Sequence, residues 1–256
     1  MSAIVISRFP KKKEWKLYKE SQKFFWVADI IEIGDVASDF ASATNEHRNF
    51  FLISGAIDCV HFRSISVDLM KDFKDLEAIY CLGSKGGYYS IKLSNFRPPE
   101  PKPPGRLSFQ PLRIIGYTCT KGIFGATMRV AALWYKMNMT SGHKCFSVLT
   151  DLISKELKLQ FQFAFHMYTI TMQKPGRRAI RSVVNKAIEI EQKFCVESKL
   201  CAVTSIKLSD MMSFIKYCGD SVYDVLQMEE PDALPPVLRW AESVVVSKRE
   251  IQDPME

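Results

Sequence analysis

Hydrophobic and polar positions follow two different periods along this chain. The alternation is strictest at Leu159, Phe161, Phe163, Phe165 and Met167, where every second residue is apolar, and it predicts a strand. The parity slips at Tyr168, and Ile170 and Met172 continue on the other phase, as at a bulge or a strand end. Met128, Val130, Ala132 and Trp134 share one face of another expected strand over 127–139, and 107–118 reads as a third. Between these two lies Lys121-Gly122-Ile123-Phe124-Gly125, a glycine-flanked apolar tip. Upstream, 50–59 has β-type composition with Gly55 placed for a bulge, and Gly86-Gly87 opens a strand over 88–93. The run 24–33 suits either a strand or a short buried helix.

Helical spacing governs other stretches. Leu69, Phe73, Leu76 and Tyr80 define an amphipathic helix over 66–80, and Phe146, Leu149, Leu152, Ile153 and Leu157 define a second. After the Pro175-Gly176 break, Ile180, Val183, Val184, Ala187, Ile188 and Phe194 read as a third, with further helices at about 207–227 and 235–248 punctuated by prolines. The proline run 98–104 cannot enter a sheet interior, because it lacks donors and its φ angles are fixed, so an exposed loop of polyproline character is expected. The expected fold is α+β: a mixed or antiparallel sheet packed with helices, plus a helical C-terminal extension. Its division is a basic flexible arm at 1–23, a core at 24–174 and the extension at 175–256.

Composition sharpens this only in part. A 256-residue chain that is 47% hydrophobic can bury a sizeable core. The net charge of +7 favours anionic partners without choosing among them. One basic cluster, Lys11, Lys12, Lys13, Lys16 and Lys19, is interleaved with Trp15. The other comprises Lys174, Arg177, Arg178, Arg181 and Lys186. The end of the chain is acidic, which suits head-to-tail self-association as well as two plain solvated faces. Seven scattered cysteines without a CxxC fit reduced, buried thiols, and no clustered Cys/His spacing suggests a metal. Lysines interrupt the apolar start, so no secretory leader is expected, and no apolar run reaches the ~20 residues of a membrane span.

A catalytic constellation is not visible. His47, His61, His143 and His166 stand in no recognised motif, and Gly83, Gly86 and Gly87 follow a helix rather than preceding one, the wrong order for a phosphate loop. The expectation is therefore no enzyme, no cofactor and no small-molecule substrate. Lys11, Lys12, Lys13, Trp15, Lys16 and Lys19 suit an anionic membrane surface, with Ile123 and Phe124 as either an inserting wedge or ordinary core. The same lysines suit nuclear import or phosphate contact. Lys174, Arg177, Arg178, Arg181 and Lys186 oppose the dipole at a helix start, a cost that points to an acidic or RNA partner, with a solvated helix end as the plain alternative.

The order from Asn49-Phe50-Phe51 through the helix ending at Ile79-Tyr80, the glycine loop and the strand after it resembles the core of rhabdovirus matrix proteins, over roughly residues 45–170. The 125–136 and 146–165 segments look similar to that core's second half. The resemblance implies a virion structural protein that self-associates, condenses the nucleocapsid and holds it to the inner leaflet of the envelope, driving assembly and budding. It further implies contact with the viral glycoprotein tail and residence in host cytoplasm and nucleus. The chain departs from that family in having no PPxY budding motif and in its helical extension. The alternatives are a viral cell-to-cell movement protein binding single-stranded nucleic acid, suggested by Ile65-Ser66-Val67-Asp68 with Leu82-Gly83, and a host RNA- or protein-binding module.

Overall fold

The computed structural model describes residues 110–138, 144–171, 174–228 and 234–245, together with Lys16, Leu17, Lys19, Glu20 and Ala41. Among the described residues every regular element is helical. The helices are α1 (Gln110–Gly122), α2 (Ala126–Asn138), α3 (Lys144–Ile170), α4 (Arg177–Ser198), the short α5 (Leu200–Thr204) and α6 (Leu208–Val225), followed by a 3₁₀ segment, Pro236–Val244. α1 packs against α3, α4 and α6. α4 also lies on α6, and α2 touches α3, α5 and the 3₁₀ segment.

Each buried face follows from spacing. On α4, Ile180, Val184, Ala187, Glu191 and Cys195 are buried at intervals of three and four, a single stripe along the helix. Met211, Phe214, Ile215, Cys218 and Val222 make the matching stripe of α6. In the 3₁₀ segment the buried residues are Leu238, Ala241 and Val244, the three-residue interval of that tighter helix. The stripes meet Ile114, Ile115, Phe161, Phe163 and Ala164 in one core, which also takes in Leu17. α4 and α6 come so close that a Cβ on Gly219 would stand 2.3 Å from Ile188 Cδ1. Any larger residue there would have to displace the Ile188 side chain.

The strands expected at 107–118, 127–139 and 159–168 are not strands: their described residues lie in α1, α2 and α3. The α+β sheet is therefore corrected to an all-helical bundle over the described residues. The alternation in α3 arises because that helix is covered on more than one side. Phe161, Ala164 and Tyr168 form one helical row, Phe163 and Met167 another, and all five are buried. The β-branched Thr118 and Thr120 fit a helix by donating their hydroxyls to the carbonyls of Ile114 and Gly116, both at 2.9 Å. The helices expected from residue 177 onward do form as α4 and α6, while the last one is 3₁₀ rather than α. The elements expected at 24–33, 50–59, 66–80 and 88–93, and the proline loop at 98–104, lie outside the described residues.

Candidate functional site: a buried polar elbow

α1 and α2 join through Gly122-Ile123-Phe124-Gly125, with Gly125 at φ +75, a conformation open to glycine at no steric cost. A helix start leaves bare N–H groups and a helix end bare carbonyls. Both are met here by buried charges from elsewhere. Glu191 on α4, 3% exposed, accepts the Gly125 N–H on Oε2 and the Thr127 N–H on Oε1, each at 3.0 Å. Arg129 on α2 donates Nη1 to the Phe124 carbonyl at 2.8 Å and Nη2 to the Gly122 carbonyl at 3.0 Å. An anion thus faces the start of α2 and a cation the end of α1, the arrangement both helix dipoles favour.

Sulfur surrounds this elbow. Cys218 on α6 feels the charges of both Arg129 and Glu191, yet burial dominates and pushes its thiol up to about 12. Burial does the same to Cys119 on α1, also to about 12. Cys195, one turn beyond Glu191 on α4, has its Sγ 3.6 Å from Cys201 Sγ on α5. The hydrogen bond with Cys201 raises Cys195 first, and burial second. The same hydrogen bond lowers Cys201, which is only partly buried. The arrangement therefore holds one inert pair of thiols and one pair in contact, of which Cys201 carries the more acidic member.

The residues singled out by sequence lie elsewhere. Ile123 is fully buried in the core and Phe124 packs partly against it, so the apolar tip belongs to the elbow rather than to an exposed wedge. Lys16 and Lys19 are exposed on either side of the buried Leu17. Lys11, Lys12, Lys13 and Trp15 lie outside the described residues. Lys174, Arg177, Arg178, Arg181 and Lys186 are exposed around the start of α4, whose N-cap, Gly176, supplies no side-chain cap. Lys174 Nζ sits 5.2 Å from the Tyr168 ring centre, and Lys186 pairs with Glu189 at 2.9 Å. Sequence reading missed Glu191 and Arg129. The signal for Glu191 was its place on the apolar stripe running from Ile180 to Cys195, where a charge needs a buried partner.

The described fold is similar to that of a ribonucleotide reductase chain. A solved structure, the Rnr4 homodimer of Saccharomyces cerevisiae, superposes with a TM-score of 0.72, covering 92% of this chain and 86% of that one at 18% identity. Among curated proteins, one ribonucleoside-diphosphate reductase small chain of Arabidopsis thaliana is 27% identical over 215 residues, covering 79% of this sequence and 61% of its own. A second small chain of the same plant is 23% identical over 266 residues, covering 90% of this sequence and 79% of its own. The protein thus spans 61% of the length of the first of these plant relatives. No protein-family model matches it.

These homologues overturn the functional expectations drawn from sequence. They are chains of a cellular reductase, so the rhabdovirus matrix resemblance fails, and with it the movement-protein alternative. Virion assembly, the nucleocapsid, envelope lipid and glycoprotein-tail partners, and the virion location fall for the same reason. The expectation of no enzymatic role falls too, because the relatives are components of an enzyme. The matrix resemblance rested on an order of strands and helices, and the described residues between 110 and 168 show that the strand half of that order misread helices. No helix among the described residues is long and apolar enough to cross a membrane.

A helical bundle of this build can carry a di-metal carboxylate centre. That centre takes a Glu from each of two helices and a Glu-x-x-His pair from each of two others. The described residues do not fit one. α1 and α2 contain no Asp, Glu or His. On α3, Glu156 accepts a hydrogen bond from Gln160, which stands four residues on, and Glu191 is committed to the elbow N–H groups. No three His, Cys, Asp or Glu residues gather among the described residues. The whole sequence has no Glu-x-x-His. Its one carboxylate-x-x-His run, Asp58-Cys59-Val60-His61, lies outside the described residues.

Proposed function

We propose that this protein works as a small-chain component of a ribonucleoside-diphosphate reductase, the assembly that converts ribonucleoside diphosphates to their deoxy forms. The observation that carries the reading is the similarity to the plant small chains along 90% of the sequence. The matching bundle, with a TM-score of 0.72, supports the same fold over that length. In this reading the protein pairs with a second small chain, as the Rnr4 protein does with itself, and docks on the reductase large chain. Its contribution is the surface and stiffness of the bundle, fixed by the elbow between α1 and α2. α1 and α2 themselves hold no carboxylate or histidine for a metal.

Reconstitution tests this. The purified protein, mixed with the Arabidopsis large chain and a limiting amount of the Arabidopsis small chain, is expected to co-sediment with them and to change the rate of deoxyribonucleotide formation. A protein that sediments alone and leaves the rate untouched refutes the proposal.

A further inference from the structure

Two cysteines are in contact at the junction of α4 and α5, beside the elbow. We propose that Cys195 and Cys201 are an oxidisable dithiol, a modification site at which a hydroperoxide closes a disulfide. The two sulfurs stand 3.6 Å apart. A disulfide needs about 2.0 Å, so the approach required is small beside the size of a side chain. The intervening backbone, 196–200, turns through Lys199 at φ 56, which folds α5 back against the end of α4.

The pair is asymmetric in the way stepwise oxidation needs. Cys201 is reachable from solvent and Cys195 is buried. The hydrogen bond between the two sulfurs favours the Cys201 thiolate, the nucleophilic form. The Cys201 thiolate attacks one peroxide oxygen: an S–O bond forms, the O–O bond breaks, and the other oxygen leaves with a proton as water or an alcohol. Cys201 is then a sulfenic acid. That removes the first cause of the raised Cys195 thiol, its hydrogen bond to the Cys201 sulfur. Cys195 Sγ next attacks Cys201 Sγ. The S–S bond forms, the S–O bond breaks, and hydroxide leaves as water with the Cys195 proton. Two thiols are oxidised by two electrons and one peroxide is reduced.

The site also has mechanical reach. Leu200, beside Cys201, is buried against Met128 and Ala131 of α2. Glu191, one turn before Cys195, holds the start of the same helix. Closing the disulfide therefore ties together the two places where α2 is gripped.

The test treats the folded 256-residue protein with hydrogen peroxide, alkylates the remaining thiols and maps tryptic peptides by mass spectrometry. Lys193, Lys199 and Lys207 place the two cysteines on separate peptides, 194–199 and 200–207. The expected result is a disulfide joining those two, reversed by a thiol reductant, with Cys119 and Cys218 unmodified. In a Cys195→Ser protein, Cys201 should accumulate as a sulfenic acid captured by dimedone. In Cys201→Ser, Cys195 should be captured at least about tenfold more slowly, as expected of a buried neutral thiol. Free alkylation of both cysteines after peroxide, or equal capture in the two variants, overturns the proposal. Should either variant fail to fold, peptide mapping of the unaltered protein decides it.

Discussion

Replacing Glu191 with alanine is the most direct assault on this bundle. The carboxylate accepts two N–H groups at 3.0 Å, from Gly125 and Thr127, and sits 3% exposed. Water cannot readily replace it there. A buried donor left without an acceptor costs about 1–3 kcal/mol, so two such groups cost roughly 2–6 kcal/mol. Loss of the negative charge from the start of α2 adds about 0.3–1 kcal/mol. Partial relaxation of the elbow reduces the sum, and Glu191→Ala is expected to lose about 3–5 kcal/mol. Against a typical total of about 5–15 kcal/mol, that is a large fraction. Glu191→Gln keeps the shape and one acceptor but presents a donor to the second N–H, so about half the loss is expected. Urea denaturation followed by circular dichroism measures both. A loss below about 1 kcal/mol for Glu191→Ala would mean that water or backbone movement satisfies the elbow, and the account given of it would be wrong.

Other perturbations have distinct signatures. Gly219→Ala places a Cβ 2.3 Å from Ile188 Cδ1 and should destabilise by about 1–3 kcal/mol, with Ile188→Val in the same protein recovering part of it. An unaltered Tm for the single variant would show that α4 and α6 separate freely. Lys136→Ala breaks a 2.6 Å ion pair with the exposed Asp151, yet it should cost no more than about 1 kcal/mol and less in high salt. Cys119 and Cys218, raised by burial to about 12 from an unfolded value of 9.0, stabilise the fold while protonated. The unfolded chain gives up those protons first as pH rises, so stability should drop between pH 9 and 12, and the drop should be shallower in a Cys119→Ala/Cys218→Ala protein. A parallel fall in both proteins would sink this linkage. Finally, the protein incubated with ferrous iron and desalted should retain no stoichiometric pair of iron ions by elemental analysis, and two ions per molecule would contradict the ligand argument.

How far the fold could be read from sequence depended on how many sides of each helix are covered. α4 buries one stripe, as does the first half of α6, so residues such as Ile180, Val184 and Ala187 announce their helix directly. α3 is wrapped on several sides, and there Phe161, Phe163 and Phe165 imitate the two-residue period of a strand although Phe161, Ala164 and Tyr168 already carry the helical one. α2 misled for a related reason: its first turn, Ala126 to Val130, is buried all the way round, which erases periodicity. Thr118 fell within an expected strand because its back-bond to Ile114 is invisible in a linear pattern. Of the site, the glycines of the elbow were noticed, but as a turn between strands. Glu191 was legible in principle, as a charge on an apolar stripe. Its partners lie 64 and 66 residues earlier, and nothing local names them.

That distance bears on how the polypeptide reaches its native form. A piece ending before residue 177 would keep all of α1, α2 and α3 but not Glu191, so the first N–H groups of α2 would lose their buried acceptor and turn to water. The junction of the early helices is sealed from solvent only once α4 is in place. A contact spanning 64 residues costs loop-closure entropy before it rewards it, which ties the front of the bundle energetically to α4.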